Sequence, residues 1–288
     1  MHRDKNRNDF VATLAERQAE MIALPNSDGA AIITMHNKLY QFIDTADGSP
    51  SVRMASIEQR PEAMHHSGGA LTESLYIYGE ALKSALEENF TPSVLSVGLG
   101  CAYNEWIALA YFLNRGTPTH EIYLESFEND ELIRSEFLRF LDSKLKAPNN
   151  FETSAHFQQI FENVMTVVAN SLQVEPTHLL GLGRKLFADK RWLIRETLDL
   201  KTDFTHPFSV VFFDAFSSKA TPGLWNEEFL NQFLLRAPGK PCVFATYAST
   251  ATLKKALKTA GFELKDQLGF GGKRESTRAY RYGTVVTI

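Results

Sequence analysis

The segment Ser93-Val94-Leu95-Ser96-Val97-Gly98-Leu99-Gly100 constrains the fold more than any other part of this chain. A short apolar run closed by a glycine pair, then an apolar stretch from Tyr103 to Leu113 stopped by Asn114-Arg115-Gly116, reads as strand, tight turn and helix. The alternation recurs downstream. Glu121-Ile122-Tyr123-Leu124 begins a second strand, Trp192-Leu193-Ile194 is a third, Ser209 to Phe213 a fourth and Cys242 to Thr246 a fifth. A mostly helical stretch from Asp130 to about Lys190, with breaks near Pro148-Asn149-Asn150 and Pro176, separates the second strand from the third. Thr250 to Ala260 is a helix closed by Gly261, after which Phe262-Glu263-Leu264 and Tyr282 to Ile288 are extended. Such alternation implies an α/β, doubly wound, Rossmann-like sheet covered on both faces.

Before Thr91 the pattern is different. Phe10 to Met21 has helical character and ends in the turn cluster Leu24-Pro25-Asn26-Ser27-Asp28-Gly29. Ala31 to Thr34 and Leu39 to Ile43 read as short strands, and Asp47-Gly48-Ser49-Pro50 turns the chain into another extended piece, Ser51 to Met54. A helix follows from about Thr72 to Glu88, with Leu71, Leu75, Tyr78 and Leu82 at helical spacing. The expected organisation is a small β-hairpin extension with one helix over residues 1–90, then the main domain over 91–288 with a helical insert at about 130–190.

A hydrophobic content of 44% is ample for a core. No run reaches the ~18 apolar residues of a membrane span. The polar start MHRDKNRNDF is unlike a secretory signal, so the expected location is cytoplasmic. Cys101 and Cys242 form neither a disulfide framework nor a C-x-x-C pair. A net charge of −4 argues against nonspecific coating of nucleic acid. The segment Thr250 to Ile288 nevertheless carries eight Lys or Arg against three Asp or Glu, and a basic patch can engage a phosphate backbone. On composition alone, a solvated face is the simpler explanation.

In a doubly wound sheet, ligands sit beyond the carboxyl ends of the strands. Gly98 and Gly100 allow backbone to approach a ligand closely, although Ala102 stands at the third position of a full G-x-G-x-G. A glycine pair in such a turn also serves tight packing. Glu125 and Glu128, after the second strand, can each accept hydrogen bonds from ribose hydroxyls or lie solvated in a loop. Asp214 follows the apolar run Val210-Val211-Phe212-Phe213 and should face the cleft, with helix capping as the alternative. His65-His66 has no partner at metal-ligand spacing, and Cys101 reads as a packing residue, so no metal is expected. No nucleophile elbow and no P-loop are present.

The run Asp214-Ala215-Phe216-Ser217-Ser218-Lys219-Ala220-Thr221-Pro222-Gly223-Leu224-Trp225 resembles the D-[AG]-F-[AS]-P-x-x-N-P-x-[LM]-W signature of MnmC-type tRNA methyltransferases, and Gly269-Phe270-Gly271-Gly272-Lys273-Arg274-Glu275 is similar to their G-F-G-x-K-R-E. Thr45 to Pro50 and Met64-His65-His66-Ser67-Gly68-Gly69-Ala70 resemble the family's upstream segments, so the likeness runs from about Leu39 to Arg281. Ser218 and Thr221 depart from the family's Pro and Asn, and the Gly-Asp pair expected after the third strand, which supplies the acid for the adenine amino group, is not found.

The resemblance implies a class I S-adenosylmethionine methyltransferase fold. It also implies N-methylation of the aminomethyl group on a tRNA wobble uridine. Gly98, Gly100, Asn104, Glu128 and Phe216 would hold the cofactor, Glu128 being chosen over Glu125 by register with the family's S-[FVI]-E. Asp214 would be catalytic, while Met64, His65, Lys273 and Arg274 would meet the RNA. The partners implied are the tRNA anticodon loop and, through it, the enzymes that install the aminomethyl group. Since the flavin-dependent oxidoreductase half of the bifunctional enzymes is absent, a standalone form is expected. The alternatives are methylation of another amine or small molecule, and a non-catalytic RNA-binding relative.

Overall fold

The computed structural model describes residues 32–35, 38–56, 62–145, 151–204, 206–265, 267–272 and 275–283. The expected helix at Phe10 to Met21, the turn after it, and Lys273 and Arg274 lie outside these residues.

The first sheet is antiparallel and four-stranded, β1 (Ile32–Met35), β2 (Lys38–Asp44), β3 (Pro50–Ser56) and β4 (Glu62–Ala63), in that spatial order. The β2–β3 turn is fixed by its own side chains: Thr45 Oγ1 and Ser49 N both donate to Asp47 Oδ1, at 2.8 and 3.0 Å. Ala70–Ser74, a π-turn Leu75–Gly79 and Glu80–Glu87 then run on as a single helix, α1. Its first N–H groups are capped from the turn, Ala70 N by Thr45 Oγ1 and Thr72 N by Asp47 Oδ2.

The second sheet has seven strands: β5 (Ser93–Val97), β6 (Tyr123–Phe127), β7 (Trp192–Arg195), β8 (Phe208–Phe213), β9 (Pro238–Thr246), β10 (Glu263–Lys265) and β11 (Thr277–Arg281). Their order is β10-β11-β9-β8-β5-β6-β7. The five from β7 to β9 are mutually parallel, and β11 lies antiparallel between β9 and β10. The chain winds outward from β5 to β7 and returns to β8 on the other side of β5. Strand order therefore reverses between β5 and β8, opening a crevice beyond their carboxyl ends.

One expected strand, the second, shifts: it begins at Tyr123, because Glu121 N and Ile122 N are taken by the carbonyls of Pro118 and Thr119 in the preceding turn. It runs on to Phe127, which places Glu125 inside the sheet, fully buried and paired with Arg195 at 2.5 Å. The last described strand runs from Thr277 to Arg281, where Arg281 pairs with Cys242; of the extended piece expected at Tyr282 to Ile288, residues 284–288 lie outside the described residues.

Successive side chains of the central strands go to opposite faces. Val94, Leu124, Val210 and Phe212 pack under α1 and α2 (Tyr103–Asn114), while Leu95, Val97, Val211 and Phe213 pack under α7 (Glu227–Arg236) and α8 (Ala251–Thr259), with the short α6 (Pro222–Trp225) beside them. The insert between β6 and β7 is α3 (Glu131–Leu141), α4 (Phe151–Ser171) and α5 (Pro176–Ala188), stacked on the α2 side. Trp106 meets Trp192 and Phe137 edge-on at 5.5 and 6.2 Å, pairs worth about 0.5–1.5 kcal/mol each beyond their buried area. The first sheet joins this core, since Tyr40 and Phe42 of β2 both pack on Phe157 of α4. Among the described residues no helix is long and apolar enough to cross a membrane.

Candidate active site

The crevice at the strand reversal holds a cavity of about 840 Å³. Its floor is the turn from β5 to α2. Gly98 has φ +92°, and a Cβ there would stand 2.4 Å from the carbonyl oxygen of Asp214, so the strand tips touch through a residue that only glycine suits. Gly98 N and Leu99 N both donate to Phe127 O at 3.0 Å, tying the turn to β6. Gly100 (φ +50°) and Ala102 (φ +67°) are left-handed too. Ala102 stands at the N-cap of α2 with no side-chain cap, so the first N–H groups of that helix are free of side-chain partners.

Glu128 closes the β6 side. Its Oε2 accepts Gly100 N at 2.9 Å and its Oε1 accepts Asp130 N at 2.8 Å, which leaves one lone-pair direction on each oxygen. Burial raises its pKa to about 7, opposed by those two backbone bonds and by the charge of Lys38. Glu125 is excluded from the cavity by its place inside the sheet.

Asp214, the first residue beyond β8, is set by its own N–H donating to Val97 O at 2.8 Å. Its carboxylate is held from two helices: Tyr78 OH of α1 donates to Oδ1 at 2.6 Å, and Asn104 Nδ2 of α2 donates to Oδ2 at 2.8 Å. Burial and the nearby Asp214 charge push the Tyr78 phenol well above its ordinary pKa, so it remains a donor at neutral pH. Asn104 Oδ1 is buried and makes no hydrogen bond among the described residues.

The segment after Asp214 is a braced loop. The Phe216 carbonyl accepts Thr221 Oγ1 at 2.8 Å and Trp225 Nε1 at 2.7 Å, so Thr221, a departure from the family signature, has a structural task of its own. Tyr247, beyond β9, donates to Ala215 O at 3.0 Å across the cavity edge.

The opposite wall comes from the loop between β4 and α1. His65 meets Ser51 Oγ through Nδ1 at 2.9 Å and lies edge-on to Tyr103; desolvation lowers its pKa to about 4. Met64 Sδ lies 3.6 Å from Cys101 Sγ, against the glycine turn. Glu73, buried, accepts His66 N at 2.6 Å. The acids beyond β7 that reach the cavity are Glu196 and Asp199. Glu196 pairs with Arg134 at 3.2 Å, and Asp199 accepts Lys201 N and Thr202 Oγ1.

Of the residues expected from sequence, Met64, His65, Gly98, Gly100, Asn104, Glu128, Asp214 and Phe216 all line this one cavity. Sequence reasoning passed over Tyr78, Glu73 and Tyr247. Tyr78 was visible only as one member of an apolar helical stripe; its polar tip in a core-facing row was the available signal.

The features match a nucleoside carrying an amino-acid tail. A buried carboxylate with two spare lone pairs suits a ribose diol, an uncapped helix N-terminus suits a carboxylate, and the unpaired Asn104 Oδ1 suits an ammonium.

Comparison with known proteins agrees. A family described as S-adenosyl-L-methionine-dependent methyltransferase matches residues 152–282. An uncharacterized protein of Methanocaldococcus jannaschii is 27% identical over 90% of this chain and 70% of its own length. The tRNA 5-methylaminomethyl-2-thiouridine biosynthesis bifunctional protein MnmC of Campylobacter hominis is 28% identical over 73% of this chain but 29% of its own length, so the match spans under a third of that relative. The crystal structure of MNMC2 from Aquifex aeolicus superposes with a TM-score of 0.54 at 21% identity, covering 97% of this chain and 78% of that one. Its likeness is one of fold. With the seven-stranded sheet and the cavity at its strand reversal, these matches give the chain the fold of a class I S-adenosyl-L-methionine methyltransferase, and residues 152–282 match the S-adenosyl-L-methionine-dependent methyltransferase family.

Proposed function

We propose that the chain N-methylates a primary amine, the aminomethyl group of a tRNA wobble uridine, giving methylaminomethyluridine. The observation that carries this reading is the Asp214 carboxylate, gripped by Tyr78 and Asn104 at the strand reversal inside the cavity. An acceptor-only group held this firmly is suited to an N–H donor. The likeness to a tRNA 5-methylaminomethyl-2-thiouridine biosynthesis protein supports the choice of tRNA.

In this reading Glu128 receives the ribose hydroxyls, Asp199 the adenine amino group, and the N-terminus of α2 with Asn104 Oδ1 the methionine tail. When bound, S-adenosylmethionine supplies an electrophilic methyl group with a good leaving group already in place. The protein's own work is then alignment and proton handling. Asp214 accepts one amine N–H, which turns the nitrogen lone pair toward the methyl carbon, and takes the proton that the nitrogen sheds on becoming a secondary amine. Tyr78 and Asn104 keep the carboxylate from rotating away. Such alignment is worth about 7–11 kcal/mol of barrier. Phe216 forms a wall beside the reacting centre.

The test is methyl transfer from labelled S-adenosylmethionine to tRNA bearing unmethylated aminomethyluridine, with bulk small amines in parallel and nucleosides read by mass spectrometry. Label in methylaminomethyluridine is expected, and Asp214→Asn should abolish it while leaving cofactor binding largely intact. Full activity in Asp214→Asn, or label only in the small amines, would overturn the proposal.

A further inference from the structure

The first sheet reaches the cofactor side of the cavity through a chain of polar contacts that the reaction itself does not require. Asp130 sits at the N-cap of α3, where its Oδ1 accepts Leu132 N and Ile133 N, both at 3.1 Å. The same carboxylate receives two donors from β2: Lys38 Nζ at 2.6 Å, and Tyr40 OH at 2.9 Å to Oδ2 and 3.1 Å to Oδ1. The backbone N–H of Asp130 is one of the two groups that orient Glu128. Asp130 is buried and Lys38 partly exposed, so an aqueous cation is brought against a desolvated anion one step from the cavity.

We propose that Lys38 and Tyr40 are positioning residues for the cofactor: through Asp130 they fix the orientation and the charge state of Glu128. This rests on the assignment of Glu128 to the ribose hydroxyls. A helix cap alone explains the Leu132 and Ile133 bonds but not the two β2 donors, since a capping Asp is satisfied by its own first turn. The charge is the second argument. Ionisation of Glu128 is disfavoured by its own burial and by the Asp130 carboxylate, and favoured by its two backbone N–H bonds; Cys101 beside it adds no positive charge. Arg134 of α3 meets Glu128 at its carbonyl and turns its other guanidinium nitrogen to Glu196, while among the described residues the Lys38 charge favours the carboxylate form needed to accept two hydroxyls. Tyr40 adds direction, because a phenol bridging both Asp130 oxygens fixes the plane of that side chain and with it the backbone that follows Glu128.

The experiment is calorimetric titration of the full-length chain with S-adenosylmethionine from pH 6 to 9, for wild type, Lys38→Met, Tyr40→Phe, Glu128→Gln and the control Arg53→Ala. Arg53 donates to Gln41 on the same sheet without touching Asp130. Wild-type affinity should weaken as pH falls and Glu128 takes up a proton. Lys38→Met should move that fall to higher pH, a displacement that general loosening of the sheet would not produce. Tyr40→Phe should weaken binding roughly tenfold, the weight of one hydrogen bond to a charged group, with kcat at saturating cofactor unchanged. Arg53→Ala should match wild type. If Glu128→Gln binds as wild type does, the ribose assignment falls and this inference with it. If Glu128→Gln is impaired while Lys38→Met and Tyr40→Phe keep wild-type affinity and pH profile, the inference alone is overturned.

Discussion

Gly98→Ala tests the contact on which the whole site is built. A methyl group at this position would stand 2.4 Å from Asp214 O and 2.9 Å from its carbonyl carbon, both backbone atoms. The carbonyl would have to retreat by roughly 0.6 Å to reach even the shortest separations seen in packed interiors. The φ of +92° adds ~1–2 kcal/mol for any L side chain. Overpacking against backbone adds about 1–3 kcal/mol more, for a total destabilisation of about 2–5 kcal/mol. The retreat cannot be confined to the turn, because Asp214 N is bonded to Val97 O and Val97 pairs with Phe213 along the ladder. Asp214 therefore leaves the reach of Tyr78 and Asn104, and displacement on this scale costs on the order of 10²-fold in turnover. Gly116→Ala is the matched control: it has positive φ (+67°) but nothing within 4 Å of its added methyl, so it carries only the conformational term. Urea unfolding and kcat at saturating cofactor, measured on both variants, separate the two contributions. Equal stability losses together with wild-type turnover in Gly98→Ala would show that the strand tips are not in contact, and the reasoning would fail.

Tyr78→Phe removes one donor from Asp214 without opening space; kcat should drop about tenfold while the cofactor dissociation constant stays put, and an unchanged kcat would deny the phenol its orienting task. Glu105, fully buried beside Ser126 Oγ at 3.0 Å, has its pKa raised to about 8 by desolvation. A raised acid pKa contributes stability that is complete below the ordinary glutamate range and is lost as pH climbs to about 8. Glu105→Gln should accordingly flatten the decline in urea midpoint between pH 5 and 8, and an unaltered slope would mean that Glu105 is not the group titrating. Asp199→Asn should weaken S-adenosylmethionine binding several-fold with turnover at saturation preserved; undiminished affinity would move the adenine contact to Glu196.

Much of the sheet was legible because its signals are local. Ser93–Val97 and the helix after it were marked by an apolar run, a glycine pair and a polar stop, and the structure places the strand on those same residues. Asp214 was legible for the same reason, as an acid directly after buried β residues. The second strand was misjudged at its start because the hydrogen bonds of the Pro118 turn decide it, and apolar content does not register them. Glu125 and Glu128 look equivalent in sequence. The pleat and the Arg195 pairing separate them, and both are facts of register between strands. Tyr78 and Glu73 were illegible as site residues because they reach the cavity from a helix more than a hundred positions before Asp214, and nothing local in α1 reports which of its buried side chains ends at a carboxylate. The acids beyond the third strand were not legible because no Gly-Asp pair marks them: Glu196 and Asp199 come to the cavity through the course of the loop.

Ala102 bears on the entropy of ligand capture. It holds φ +67° in the turn where the glycine pattern would place a third glycine. An alanine there costs the folded turn about 1 kcal/mol relative to glycine, but it also removes many of the conformations an empty turn would otherwise sample. A turn with fewer alternatives gives up less freedom when a nucleoside settles onto it, so its affinity depends less on ordering at the moment of binding. Ala102→Gly should thus yield a chain that unfolds at higher urea yet binds its cofactor with a more unfavourable entropy. In this turn, local stability and readiness for ligand pull in opposite directions.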